Sequence, residues 1–119
     1  MTPEAYAGRV IGLYLSLPGA TGRAGRADWR LALSLHTEGV TLEIIEAALL
    51  LAAARRATRD PALAPLPPIR SLAYVRPVIE ELSGQQLPSS YLDYLREAVQ
   101  MVRQPPPARV RNTAFLDDR

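Results

Sequence analysis

Three arginines, Arg23, Arg26 and Arg30, fall within eight residues on the glycine-rich stretch Gly19-Ala-Thr-Gly22-Arg-Ala-Gly25-Arg-Ala-Asp28-Trp-Arg30. A guanidinium is a planar fork that bonds phosphate oxygens in pairs, so phosphate is the chemistry these residues suit. The G-x-x-G-x-x-G spacing would let backbone N–H groups approach the same phosphate. It is neither the dinucleotide fingerprint nor the P-loop, and no strand-like run precedes it, which both motifs require. A plain helix–helix linker is the competing interpretation. Contact with a nucleic-acid backbone needs only positive charge and access, and stands between the two. A second basic group, Arg55, Arg56 and Arg59, follows a long apolar run, with Arg70 further on. There some guanidiniums could instead bond the last carbonyls of the chain's own helix.

Nothing comparable supports catalysis. Cysteine is absent and His36 is the only histidine. A usual zinc site therefore lacks its ligands, and no Ser–His–acid pattern surrounds His36. Glu80 and Glu81 are adjacent, but neighbouring helix positions point about 100° apart and cannot act on one substrate atom. The expectation is a protein without enzymatic activity, cofactor, metal or small-molecule substrate.

All fourteen basic residues of the 119 are arginine, which fits phosphate binding and equally fits the codon bias of a GC-rich genome. Position is more informative. Residues 1–79 hold nine arginines and six acids (+3), residues 80–119 five and six (−1), so the basic character lies early in the chain. Absence of cysteine favours a reducing compartment, and MTPEAYAGRV lacks the basic and apolar regions of a signal peptide, so a cytoplasmic location is expected.

The elements that must position these residues are helical. Thr2-Pro3-Glu4 opens the first helix, with Tyr6, Val10, Leu13, Tyr14 and Leu17 at helical spacing and Pro18-Gly19 as the stop. A second helix begins near Asp28, carries Leu31 and Leu35 on one face, and ends at Glu38-Gly39. Trp29, the only tryptophan, is expected in the core or at a seam, with base stacking as the functional alternative. The central helix runs from Thr41 to Arg59, about 28 Å at ~1.5 Å per residue. Thr41 is its expected N-cap, and Glu43 and Glu46 suit the positive end of its dipole. Apolar residues almost all round predict burial on several sides, yet the run is shorter than the ~18 residues a membrane span needs.

Four prolines between Pro61 and Pro68 predict an extended connector, with Leu63 and Leu66 pinning it to the core. A fourth helix covers Ile69 to Leu82, with Leu72, Val75, Val78, Ile79 and Leu82 inward and a kink or break near Tyr74–Arg76 imposed by Pro77. The fifth opens at Pro88-Ser89-Ser90, with Ser90 and Asp93 spaced as a capping box. Its buried face is Tyr91, Leu92, Leu95, Val99 and Val102. The fold class is all-α: a compact bundle of about five helices around a buried central one. It occupies residues 1–104, with 105–119 a flexible, disordered tail.

Gly39-Val-Thr41-Leu-Glu43-Ile-Ile45-Glu-Ala47, followed by Arg70-Ser-Leu-Ala-Tyr74-Val-Arg-Pro-Val78-Ile-Glu-Glu-Leu82, resembles the helical C-terminal domain of DnaD-type replication and primosome proteins. That family has a glycine-led helix and a later Y-x-x-x-I-x-x-x-W helix. Tyr74, Val78 and Leu82 keep the spacing, with Leu82 where the family carries tryptophan and Pro77 a further departure. The likeness spans roughly residues 28 to 82. It implies that Tyr74 and the tail arginines Arg109 and Arg111 take part in DNA binding. Charge, loop and resemblance together lead to a DNA-associated accessory domain of a bacterial replication or mobile-element assembly. It would contact the nucleic-acid backbone weakly through Arg23, Arg26, Arg30, Arg55, Arg56, Arg59, Arg70, Tyr74, Arg109 and Arg111. A helical protein–protein adaptor without nucleic acid is the alternative, favoured by the proline-rich segments and Phe115-Leu116.

Overall fold

The computed structural model describes residues 1–57, 60, 62–64 and 66–103. Among them are five α-helices, α1 (Pro3–Leu15), α2 (Arg26–Thr37), α3 (Leu42–Ala57), α4 (Arg76–Leu82) and α5 (Ser89–Arg103), and one 3₁₀ turn, Leu72–Val75. No strand occurs among the described residues; the only pairing of strand type is an isolated parallel bridge between Ala20 and Ile69. The expected tail, 105–119, lies outside the described residues, as does the Val102 side chain.

The helix ends follow local chemistry. Thr2 Oγ1 accepts the Ala5 N–H at 3.0 Å, with Pro3 in the first turn of α1. Thr41 does the same for α3, accepting Ile44 N–H at 3.3 Å. After α2, Gly39 takes φ +80°, its N–H donating to His36 O at 3.0 Å and Val40 N–H donating to Leu35 O at 3.1 Å. Those two bonds form a Schellman motif, which a β-carbon at Gly39 would strain. His36 stacks edge-on against Tyr6, ring centroids 5.0 Å apart.

Helix α3 packs on α1, α4, α5 and the 3₁₀ turn, and α2 packs on α1. Ile44, Ile45, Ala47, Ala48, Leu49, Ala52 and Ala53 are all buried. The alanines let neighbouring helices approach closely, and larger residues from those helices fill the remaining space: Tyr14 from α1, Leu35 from α2, Ile79 from α4 and Leu95 from α5. Glu46 has a tertiary role beyond any dipole effect. Arg96 of α5 donates to both its oxygens at 2.8 Å, clamping α5 to α3.

Four expectations are corrected. The fourth segment is not helical from Ile69: residues 69–71 are extended, and Pro77 sits in the first turn of α4, where its missing N–H costs nothing. The break itself falls at Tyr74–Arg76, where the 3₁₀ turn passes into α4. Leu63 and Leu66 are exposed and do not pin the connector; the fully buried Ile69 does. The start of the connector turns, with Asp60 Oδ1 accepting Ala62 N–H at 2.9 Å and Asp60 O accepting Leu63 N–H at 3.0 Å. Finally, α5 opens at Ser89, which places Ser90 inside the first turn, and Asp93 reaches Arg96 at 3.4 Å.

Two outcomes follow. Leu49 is 1% exposed, so Leu49→Asp buries an unpaired carboxylate at a cost of several kcal/mol, against a typical total of ~5–15 kcal/mol. Cooperative thermal unfolding is expected to vanish; a melt within a few degrees of the parent would refute this placement of α3.

The second concerns pH. The Glu46 carboxyl is held below its ordinary value by the hydrogen bonds from Arg96, partly opposed by burial, with the charges of Arg96 and Arg9 adding to the lowering. A depressed folded value stabilises fully above the unfolded carboxyl range, about pH 4.3, and is lost as pH falls through it. The melting-temperature gap between parent and Glu46→Gln should hold from pH 7 to about pH 5 and close in stronger acid. A gap that widens on acidification contradicts the clamp.

Candidate nucleic-acid interface

Asp28 is the buried acid of the described core, 7% exposed. As the third residue of α2, its carboxylate folds back so that Oδ2 accepts the N-cap Gly25 N–H at 2.8 Å. This is half a capping box, and glycine has no side chain to supply the other half. Its Oδ1 accepts the buried N–H of Leu72, also at 2.8 Å. One side chain therefore starts α2 and holds the 3₁₀ turn 44 residues away.

Beside this latch the chain makes a backbone clip. Ile69 N–H donates to Gly19 O at 2.7 Å and Thr21 N–H donates to Ile69 O at 3.1 Å. Tyr14 Oη donates to the same Ile69 carbonyl at 3.4 Å. Burial raises the Tyr14 phenol above its ordinary value, and the nearby Asp28 carboxylate raises it further. Gly19 and Gly22 carry φ of +90° and +82°, which turn the loop around this clip. A β-carbon on Gly19 would also stand 3.4 Å from Arg56 Nε.

The consequence concerns Arg70. Ile69 is paired with the loop at Ala20, and Leu72 is tied to the head of α2. Arg70, between them, is thereby set alongside the loop that carries Arg23 and the helix start that carries Arg26 and Arg30. All four are exposed. Among the described residues, none of the four has an ion pair or a side-chain hydrogen bond. Asp28, the only acid within this stretch, is directed inward at backbone amides.

The second basic group is placed differently. Arg55 forms a two-pronged ion pair with Glu81, at 3.1 and 2.7 Å, joining α3 to α4. Arg56 donates to Pro67 O at 2.6 Å and to Tyr74 Oη at 3.4 Å, with its guanidinium 5.7 Å from the Tyr74 ring centre. Tyr74 is half exposed, and the structure brings it to Arg56, whose guanidinium also borders Gly19. Arg76, which the sequence did not single out, bonds Glu38 and Glu80. Arg59, Arg109 and Arg111 lie outside the described residues.

Trp29 is the feature that sequence reasoning placed wrongly. It is 42% exposed, neither core nor seam, and Leu33 one turn on is 37% exposed. The buried face of α2 is Asp28, Ala32 and Leu35, and position 29 falls to the side of it. Hydrophobicity alone suggested burial; the helix phase set by Leu35 and Ala32 would have signalled otherwise.

Among the described residues, no group of three or more His, Cys, Asp or Glu could hold a metal ion, and no helix is long and apolar enough to cross a membrane. No protein-family model, curated protein or solved structure matches the chain.

The latch generates a prediction. Asp28→Ala removes the acceptor of a buried and a part-buried N–H. The loss should be roughly 2–4 kcal/mol, lowering the melting temperature by ten degrees or more. Asp28→Asn keeps one acceptor oxygen and should fall between. An alanine variant that melts with the parent would mean the carboxylate holds neither segment.

Proposed function

We propose that the protein is a nucleic-acid-associated helical domain that contacts the phosphate backbone, without reading sequence, through Arg23, Arg26, Arg30 and Arg70. The observation that carries this reading is that the Ala20–Ile69 clip and the Asp28–Leu72 bond tie the segment of Arg70 to the loop and helix start of Arg23, Arg26 and Arg30, all four of them exposed. Phosphate contacts require accessible guanidiniums that the protein does not itself neutralise. Arg55 and Arg56 fit less well, because releasing them would break contacts that join α3 to α4 and to the connector. A net charge of +2 corresponds to weak affinity, suited to a part of a larger cytoplasmic replication or mobile-element assembly. The DnaD-like segment, residues 28 to 82, supports the same reading and contains two of the four arginines, Arg30 and Arg70, together with the Asp28 latch.

An adaptor function draws on a different surface. Leu13, Leu17, Pro18, Leu50 and Val99 line an apolar groove of about 220 Å³ between α1, α3 and α5, bordered by the Glu46–Arg96 pair. Salt separates the two readings, since backbone binding weakens steeply with salt and apolar docking does not. Fluorescence anisotropy with labelled single- and double-stranded DNA should give a log–log salt slope of roughly −3 to −4 for four neutralised phosphates. Replacing Arg23, Arg26 and Arg30 together by Gln should flatten the slope by about 2 to 3 with the melting temperature unchanged. Absence of binding at low salt, or unchanged binding by the triple variant, would transfer the function to the groove.

A further inference from the structure

Exposed tryptophan on a helix surface keeps apolar area in water, and a purely apolar partner would not suit its neighbours here. Arg26, Trp29, Arg30 and Leu33 occupy positions i, i+3, i+4 and i+7, so they form one stripe, within an arc of roughly 100°, on the side of α2 away from its buried residues. All four are exposed. The stripe thus alternates cationic forks with a broad aromatic face and an aliphatic flank. That pairing suits a ligand which itself alternates anionic groups with flat π-surfaces, and single-stranded nucleic acid has this construction. In a duplex both faces of each base are covered by its neighbours, so an indole on a convex helix reaches only an unpaired base.

We propose that Trp29 is a stacking platform for one unpaired base of a single-stranded nucleic acid whose adjacent phosphates lie on Arg26 and Arg30. This rests on the backbone-contact function above, and it adds a preference that the arginines alone do not create. The arginines supply affinity for any phosphate backbone; Trp29 supplies the difference between single and double strands. Leu33, one turn on from Trp29, continues the exposed stripe toward the C-terminal end of α2.

Trp29 is the chain's only tryptophan, so its fluorescence reports this position alone. Oligothymidylate added to the full chain at low salt should quench that fluorescence, and a duplex of equal length should quench it far less. Trp29→Ala should weaken binding to labelled oligothymidylate by roughly tenfold or more, the usual effect of removing one stacked base. Trp29→Phe should restore most of it. Duplex affinity and the salt slope should be the same in all three proteins, and circular dichroism should show the same fold, because the side chain is half exposed. If the parent binds both DNA forms but oligothymidylate leaves the fluorescence unchanged, or Trp29→Ala binds as tightly as the parent, the stacking role is overturned and the backbone function stands. If the parent binds neither form, the backbone function falls and the stacking role falls with it.

Discussion

The Asp28 carboxylate has little contact with water, and two backbone N–H groups from distant parts of the chain end on it. A buried charge is tolerated only where hydrogen bonds replace its hydration, and amides are effective replacements because they carry no opposing charge to be satisfied in turn. The arrangement uses the part-buried N–H at the head of α2, where the helix dipole also favours an anion. It draws the segment after the proline-rich connector against the same point. The Ala20–Ile69 clip and the Tyr14 hydrogen bond then close the junction around Ile69. Without this junction, the loop, the start of α2 and the 3₁₀ turn would be three separate pieces of surface.

The arginines divide by what their forks meet. Arg55, Arg56, Arg76 and Arg96 join one helix to another or to the connector. Surface pairs of this kind contribute little each because water screens them, although the paired bonds of Arg96 to Glu46 and Arg55 to Glu81 have the favoured geometry. These side chains orient the bundle more than they stabilise it. Among the described residues, Arg23, Arg26, Arg30 and Arg70 form no ion pair.

Much of the fold was legible because most helix signals act within about four residues. Thr2, Thr41 and Gly39 cap neighbouring turns, Pro77 sets the break just before it, and the apolar spacing of α1 and α3 marks their buried faces. The errors arose where the deciding partner lies far off. Ile69 to Ser71 were read as helix because nothing local shows that Gly19 and Thr21 engage the backbone there. Leu63 and Leu66 were assigned to the core on hydrophobicity, although Ile69 takes that place. At the site, the loop arginines could be chosen from sequence, as could Arg70, but not their assembly. Arg70 joins them through hydrogen bonds of main-chain atoms, which leave no signature in residue type. Asp28 stands among the loop arginines in sequence, and nothing in residue type shows that its oxygens face inward to backbone amides.

The clip between Ala20 and Ile69 encloses the 48 residues 21–68, including all of α2 and α3. Closing so long a loop costs entropy that only prior packing of the enclosed helices offsets. The clip is thus a non-local contact: a chain in which only α1 and α2 had paired would not yet hold the segment of Arg70 against the loop. Such a chain would carry the same net charge as the finished fold, distributed differently.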